Sequence, residues 1–400
     1  MKRALLFFSS FVTVAVVIYA MALIPNFSAF KTLFQNGEGM SEGSEYVANT
    51  YSLADLTRFI GSKPEHVSVV SLSIDQPDSS LYYQENNLRT MGSLGNLILL
   101  YSYANGVESS QLDPNEELSI EEISKYRLPL ISQNAHNGAI ERLITKESPR
   151  FTLEDAVHAM VEFNDLVLAD FLWAKLGASV LRISLNELKD TLGLSFTELP
   201  LPNAAMYMAI AEPALYLPEF SPKTDSLRID SDQRAVFHAK TLEDFYEKTA
   251  DPEQFNALRA SFKKNRINQN FMQERDALAL FPQTTASEIA KIMSYLLLDD
   301  RLNVAVQTHI LDALGWPNGS TTITRSFESY FAQYDSRMGL LSGVDFGISI
   351  YTGERRIQVI LFDELPVAFW HHMSANHMQE DFQQRLIWDP ALYHITKLAL

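Results

Sequence analysis

Gly92-Ser93-Leu94-Gly95-Asn96 opens the run LGNLILLYSYAN, residues 94–105. The run is almost wholly apolar, which predicts a helix Leu94–Asn105 buried on every side. Serine is a favoured N-cap residue, because its hydroxyl accepts a backbone N–H of the first turn. Ser93 is therefore expected to cap this helix. Upstream, HVSVVSLSID (66–75) is rich in β-branched residues and partly alternating, so it predicts a strand. Gln76-Pro77-Asp78-Ser79-Ser80 reads as a turn and Leu81–Gln84 as a second strand. Before them, Ser52 suits the N-cap of a helix Leu53–Ile60 that ends at Gly61. The chain thus delivers strand, turn, strand, and then a serine at the head of a core helix.

Further along, Leu112-Asp113-Pro114-Asn115-Glu116-Glu117-Leu118-Ser119 precedes Phe151-Thr152-Leu153-Glu154-Asp155. Thr152 and Asp155 have the spacing of a capping box, so a helix runs from there into Phe163. Asn164-Asp165-Leu166 falls at the junction with a second helix, Val167–Leu176, that closes on Gly177. Helices are expected at Ile289–Leu298, after Thr284-Thr285-Ala286-Ser287-Glu288, and at Asn303–Leu314. Strands are expected at Phe346–Tyr351 and Arg356–Phe362, joined by Tyr351-Thr352-Gly353-Glu354-Arg355. One C-terminal helix, Ser374–Ile387, completes the reading. Strands at both ends and helices between them predict an α+β domain, with an antiparallel sheet from both chain ends beside a helical lobe.

Three segments in this order carry a resemblance: Gly92-Ser93-Leu94-Gly95-Asn96, Asn164-Asp165-Leu166 and Arg337-Met338-Gly339. Their contexts resemble the active-site segments of the penicillin-recognising serine hydrolases, the class A β-lactamases and low-molecular-weight penicillin-binding proteins. That family carries S-x-x-K at the head of a buried helix, S-D-N at a helix junction and K-T-G on a strand. Leu112–Ser119 is similar to the family's LDPxExLS segment. The resemblance covers roughly residues 52–390 and implies a β-lactamase/transpeptidase-like fold. It also implies that Ser93 stands where the acyl nucleophile would be. Asn96 stands at the lysine position, and Asn164, Asp165 and Leu166 at the S-D-N positions. Arg337 and Gly339 stand at the first and last K-T-G positions, as ligand-binding candidates with Leu166.

Every motif is substituted. Serine attack on a carbonyl needs a proton acceptor and an oxyanion hole. Asn96 sits one turn after Ser93, yet its amide does not accept a proton at neutral pH. Asp165 suits a helix N-cap, and Leu166 makes the cleft less polar. Arg337 keeps a positive charge able to hold a carboxylate in a bidentate pair. Residues 199–212, LPLPNAAMYMAIAE, lie where the family's deacylating glutamate would be. Their only acid, Glu212, is out of register.

Composition bounds the partners. The 400 residues are 46% hydrophobic and 20% charged, with net charge −17 and no cysteine. Such acidity argues against nucleic acid as partner. Lack of cysteine excludes disulfides, thiol nucleophiles and thiolate-bound zinc. His371, His372 and His377 cluster without an acid at ligand spacing, so no metal and no cofactor is expected. The Asn318-Gly319-Ser320 sequon reads as incidental. Lys2 and Arg3 precede the uncharged run Ala4–Ile24. Residues 1–25 read either as a removed signal peptide or as a retained inner-membrane anchor, and both place the body outside the cytoplasm, periplasmic or secreted. Residues 26–50 read as a linker and 51–400 as the β-lactamase-like domain, with a helical insertion at about 212–281. Three functions stay open. One is a pseudoenzyme that binds a peptidoglycan peptide, a β-lactam, another carboxylate ligand or a protein. A second is an active serine hydrolase, of β-lactamase or D-Ala-D-Ala carboxypeptidase type, using Ser93 and an atypical base. A third possibility is a membrane-tethered assembly factor that works through the insertion.

Overall fold

The computed structural model describes residues 36–127, 133–144, 150–195, 198–204, 245–247, 250–257, 260, 271–276, 278, 281–314, 328–349 and 351–400. The expected leader at 1–25, Glu212, the sequon and most of the insertion at 212–281 lie outside these residues. No helix among the described residues is long and apolar enough to cross a membrane.

The centre is a five-stranded sheet of β1 (Val67–Ser73), β2 (Leu81–Tyr83), β3 (Glu328–Arg337), β4 (Leu340–Ile348) and β5 (Arg355–Phe362), in the order β2-β1-β5-β4-β3. All neighbours are antiparallel, and β1 from the front of the chain pairs with β5 from its end. The α+β architecture and the two-ended sheet expected from the sequence are present. Alternation along β5 explains the layering. Ile357, Val359 and Leu361 pack into the helical lobe, and Ile360 and Phe362 into a second core on the opposite face.

Helix α1 (Leu53–Ser62) belongs to the second core, and the lobe is built from α2 (Asn96–Glu108), α3 (Gln133–Leu143), α4 (Leu153–Phe163), α5 (Leu166–Leu192), α7 (Ala286–Leu298) and α8 (Val304–Ala313). Helix α6 (Phe271–Asp276) lies in the insertion. The second core also takes α9 (Val367–Ala375), α10 (Met378–Trp388) and α11 (Pro390–Ala399).

Several local expectations hold. Ser52 caps α1, Thr152 and Asp155 form a capping box on α4, and Thr285 and Glu288 form another on α7. Others are corrected. The helix from Leu166 does close on Gly177, which takes the non-helical φ 76° and ψ 156°; what the sequence reading lacked is a second helical stretch of α5 directly after it, which buries Leu181, Leu185 and Leu188. The single C-terminal helix is three, because His377 takes a left-handed φ of 50° between α9 and α10, and Pro390 opens α11. The described part of the expected linker is docked. Asn36 Oδ1 accepts the Phe271 N–H at 2.6 Å, and Glu42 pairs with Arg275 at 2.6 Å.

Candidate functional site

Ser93 lies at the seam between lobe and sheet. It is not an N-cap. Gly92–Gly95 form a 3-10 turn, α2 begins at Asn96, and the Ser93 hydroxyl is buried with no hydrogen-bond partner. The residue itself is 3% exposed. Its backbone is fully engaged instead. The Ser93 N–H donates to Asp335 Oδ2 at 2.7 Å, and its carbonyl accepts from Gln333 Nε2 at 2.6 Å.

Both partners come from edge strand β3. Its alternation places Gln333, Asp335 and Arg337 on one face, toward Ser93. Arg337 Nε donates to both oxygens of Asp335, at 3.1 and 2.8 Å, and Nη2 donates to Asn203 Oδ1 at 2.7 Å. The side chains of Arg337 and Asp335 are each only 6% exposed. Arg337 therefore reaches the site, but an internal carboxylate holds it. Its expected role of capturing a ligand carboxylate is not the arrangement found.

Met338 and Gly339 form the β3–β4 turn, with Gly339 at φ +81°. Gly339 thus serves the reversal of the chain and does not line the cleft beside Ser93. The strand residues that hydrogen-bond to the other two segments are Gln333, Tyr334 and Asp335, and Arg337 joins them through Asp335.

Asn164 ends α4 in a left-handed conformation, φ 47°. Its Nδ2 donates to the Tyr334 carbonyl at 2.6 Å, and its Oδ1 accepts from Gln333 Nε2 at 3.4 Å. Asn164 therefore bolts the lobe to the sheet edge. Asp165 is 1% exposed and caps α5, accepting the Leu168 N–H at 2.7 Å; His136 Nδ1 lies 2.8 Å from its other oxygen. Leu166 is the first residue of α5, and its carbonyl accepts from Asn203 Nδ2 at 3.4 Å. Asn96 borders a small cavity with Asn164, Gln333, Met160 and Leu314. That cavity has room for about one water molecule, far less than a peptide or a bicyclic lactam needs.

Asp170, which sequence reasoning missed, anchors the segment above Arg337. Its carboxyl is wholly buried and accepts the N–H groups of Asn203 and Ala204 at 2.6 and 2.7 Å, Asn203 Nδ2 at 3.0 Å and the Tyr246 hydroxyl at 3.2 Å. Burial pushes it up to about 7, against these four donors, which favour the charged form. A polar chain thus runs from Ser93 through Asp335, Arg337 and Asn203 to Asp170.

The three clustered histidines do not converge. His372 Nε2 lies 2.7 Å from the Thr50 carbonyl and His377 Nδ1 3.1 Å from Glu380. Burial holds His371 below its ordinary pKa. Among the described residues, no group of three or more acidic or histidine side chains is placed to share a metal ion.

No protein-family model matches the sequence, and no curated protein matches it. Solved structures are similar to it. A double mutant of the last common ancestor of Gram-negative class A β-lactamases aligns at 12% identity and TM-score 0.49, over 86% of this chain and 99% of that one. A β-lactamase from Francisella tularensis aligns at 11% identity and TM-score 0.42, over 82% and 100%. A PBP-A mutant, solved as its acyl-enzyme complex with penicillin G, aligns at 10% identity and TM-score 0.44, over 82% and 96%.

Proposed function

We propose that this protein is a non-catalytic, extracytoplasmic relative of the penicillin-recognising serine hydrolases, and that it acts by binding. The observation that carries this reading is the Asp335 carboxylate on the Ser93 N–H. An acyl enzyme keeps its nucleophile's N–H free to stabilise a developing oxyanion. Here that donor faces a fixed negative charge, which would repel an oxyanion. The hydroxyl beside it is buried, and the residue one turn on is Asn96, which supplies no base. Loss of a general base alone removes about 10² to 10⁴ in rate.

With the Ser93 N–H and carbonyl both held by side chains of β3, binding falls to other surfaces. A protein partner is favoured over a β-lactam or a peptidoglycan peptide docked at Ser93, because the Ser93 hydroxyl is buried and its N–H and carbonyl are already taken by Asp335 and Gln333. Lys2 and Arg3 before Ala4–Ile24 support a location outside the cytoplasm, with membrane contact confined to that segment.

The test is labelling with a fluorescent penicillin and assay of nitrocefin hydrolysis, beside a Ser93→Ala control. The expected result is signal equal to the control in both. Labelling that Ser93→Ala abolishes would promote the active serine hydrolase reading.

A further inference from the structure

We propose that the Ser93 N–H and the Arg337 guanidinium form a carboxylate-binding site whose resident ligand is the chain's own Asp335, and that a small free carboxylate takes its place when that side chain is removed. The inference rests on the reading of Ser93 as a closed, non-turnover site.

The donors are set by two independent elements. Ser93 N–H comes from the 3-10 turn before α2, at 2.7 Å from Oδ2. Arg337 Nε comes from the end of β3 and reaches both oxygens. Asn203, tied to Asp170, holds the far end of the guanidinium at 2.7 Å, so the fork stays aimed when its anion changes. Gly92 sits at φ +56°, and a side chain there would run into Asp335 Oδ2 and Leu340. Glycine is thus the residue that lets a carboxylate reach the Ser93 N–H.

Two residues next to these donors in the chain or across the sheet, Ser93 and Ser342, have buried hydroxyls without hydrogen-bond partners. Ser342 is the cross-strand partner of Asp335 on β4. Asp335 is tethered to β3 by one methylene and does not hydrogen-bond either hydroxyl. A free carboxylate has no tether and can take donors that Asp335 leaves unused. A carboxylate suits a guanidinium and a backbone N–H together, and the group these donors hold here is itself a carboxylate.

The experiment uses full-length Asp335→Ala, which removes only the carboxyl group and leaves a space the size of a formate ion. Thermal unfolding is followed as sodium formate is titrated, with sodium chloride at matched ionic strength and with the larger acetate, expected to bind less well, as a size control. A saturable rise in Tm with formate, about 2 °C at ten times the dissociation constant for a chain of this length, supports the proposal. The rise should be absent in the wild type, whose site is filled, and in Asp335→Ala/Arg337→Met, which lacks the guanidinium. Should Asp335→Ala fail to fold alone, refolding in formate and not in chloride supports the proposal. Failure in both, with an unresponsive Asp335→Ser variant, overturns it. Equal shifts with chloride and formate, or equal shifts in the wild type, also overturn it. Penicillin labelling at Ser93 would refute the non-catalytic reading and leave these titrations unchanged.

Discussion

Replacing Arg337 by methionine should be among the costliest single changes to this fold that remove no apolar core. The substitution deletes the Nε donor to both oxygens of Asp335 and the Nη2 donor to Asn203. Asp335, 6% exposed, is then a buried carboxylate supported by the Ser93 N–H. Breaking one side of a buried ion pair costs about 3 to 5 kcal/mol, because the remaining charge is uncompensated. Asp335→Ala should cost a similar amount, since it strands the guanidinium from its carboxylate and unpairs the Ser93 N–H. The double variant strands neither charge. It should therefore cost less than the sum of the singles by about 2 kcal/mol or more. Unfolding entropy of about 2.1 cal/mol/K per residue gives this 400-residue chain about 0.8 kcal/mol per kelvin, so each single variant should lose about 4 to 6 °C in Tm. The assay is thermal and urea unfolding of the four proteins by far-ultraviolet circular dichroism. Loss of the Asn203 contact is common to both Arg337 variants and cancels in the cycle. Single variants within about 1 kcal/mol of wild type, or strictly additive losses, would refute the charge-plug argument.

Other outcomes follow from the same geometry. Ser93→Ala should be neutral or stabilising by up to about 1 kcal/mol, because its hydroxyl is buried without a partner; a loss of that size would instead restore the N-cap reading. Asp170 has a folded pKa raised to about 7 by burial, above an unfolded value of about 3.9. Its neutral form favours the fold, so that stability is fully present below about pH 4 and is lost as pH rises through about 7. The Tm of wild type relative to Asp170→Asn should fall across this window, and a flat difference would count against it. Asp165→Ala removes the α5 cap and the His136 contact, and should cost about 1 to 2 kcal/mol by urea denaturation. Asn96→Lys alone should give no penicillin adduct, because Asp335 still holds the Ser93 N–H.

How much of this was legible depends on what each residue's neighbours are. The lobe helices with capping boxes were readable because Thr152 with Asp155 and Thr285 with Glu288 act within one turn. Strand β3 was hard to read for the opposite reason. Gln333, Asp335 and Arg337 look like a solvent face, yet all three are buried against Ser93. Periodicity says which residues share a face and cannot say that a polar face points inward. In Arg337-Met338-Gly339 the expected charge does reach the seam, whereas the glycine serves the β3–β4 turn. Asn203 and Asp170 join the site only through a contact between a loop and α5, which no local pattern encodes. Ser93, Asn164 and Arg337 do lie along one seam, and the resemblance could not foresee that Asp335 and Gln333 link them by hydrogen bonds.

Intact-mass spectrometry of the purified protein after prolonged incubation with penicillin G tests the central claim most directly. The closed site predicts an unchanged mass, in the wild type as in Ser93→Ala. A stoichiometric gain of one penicillin mass in the wild type, absent from Ser93→Ala, would contradict it.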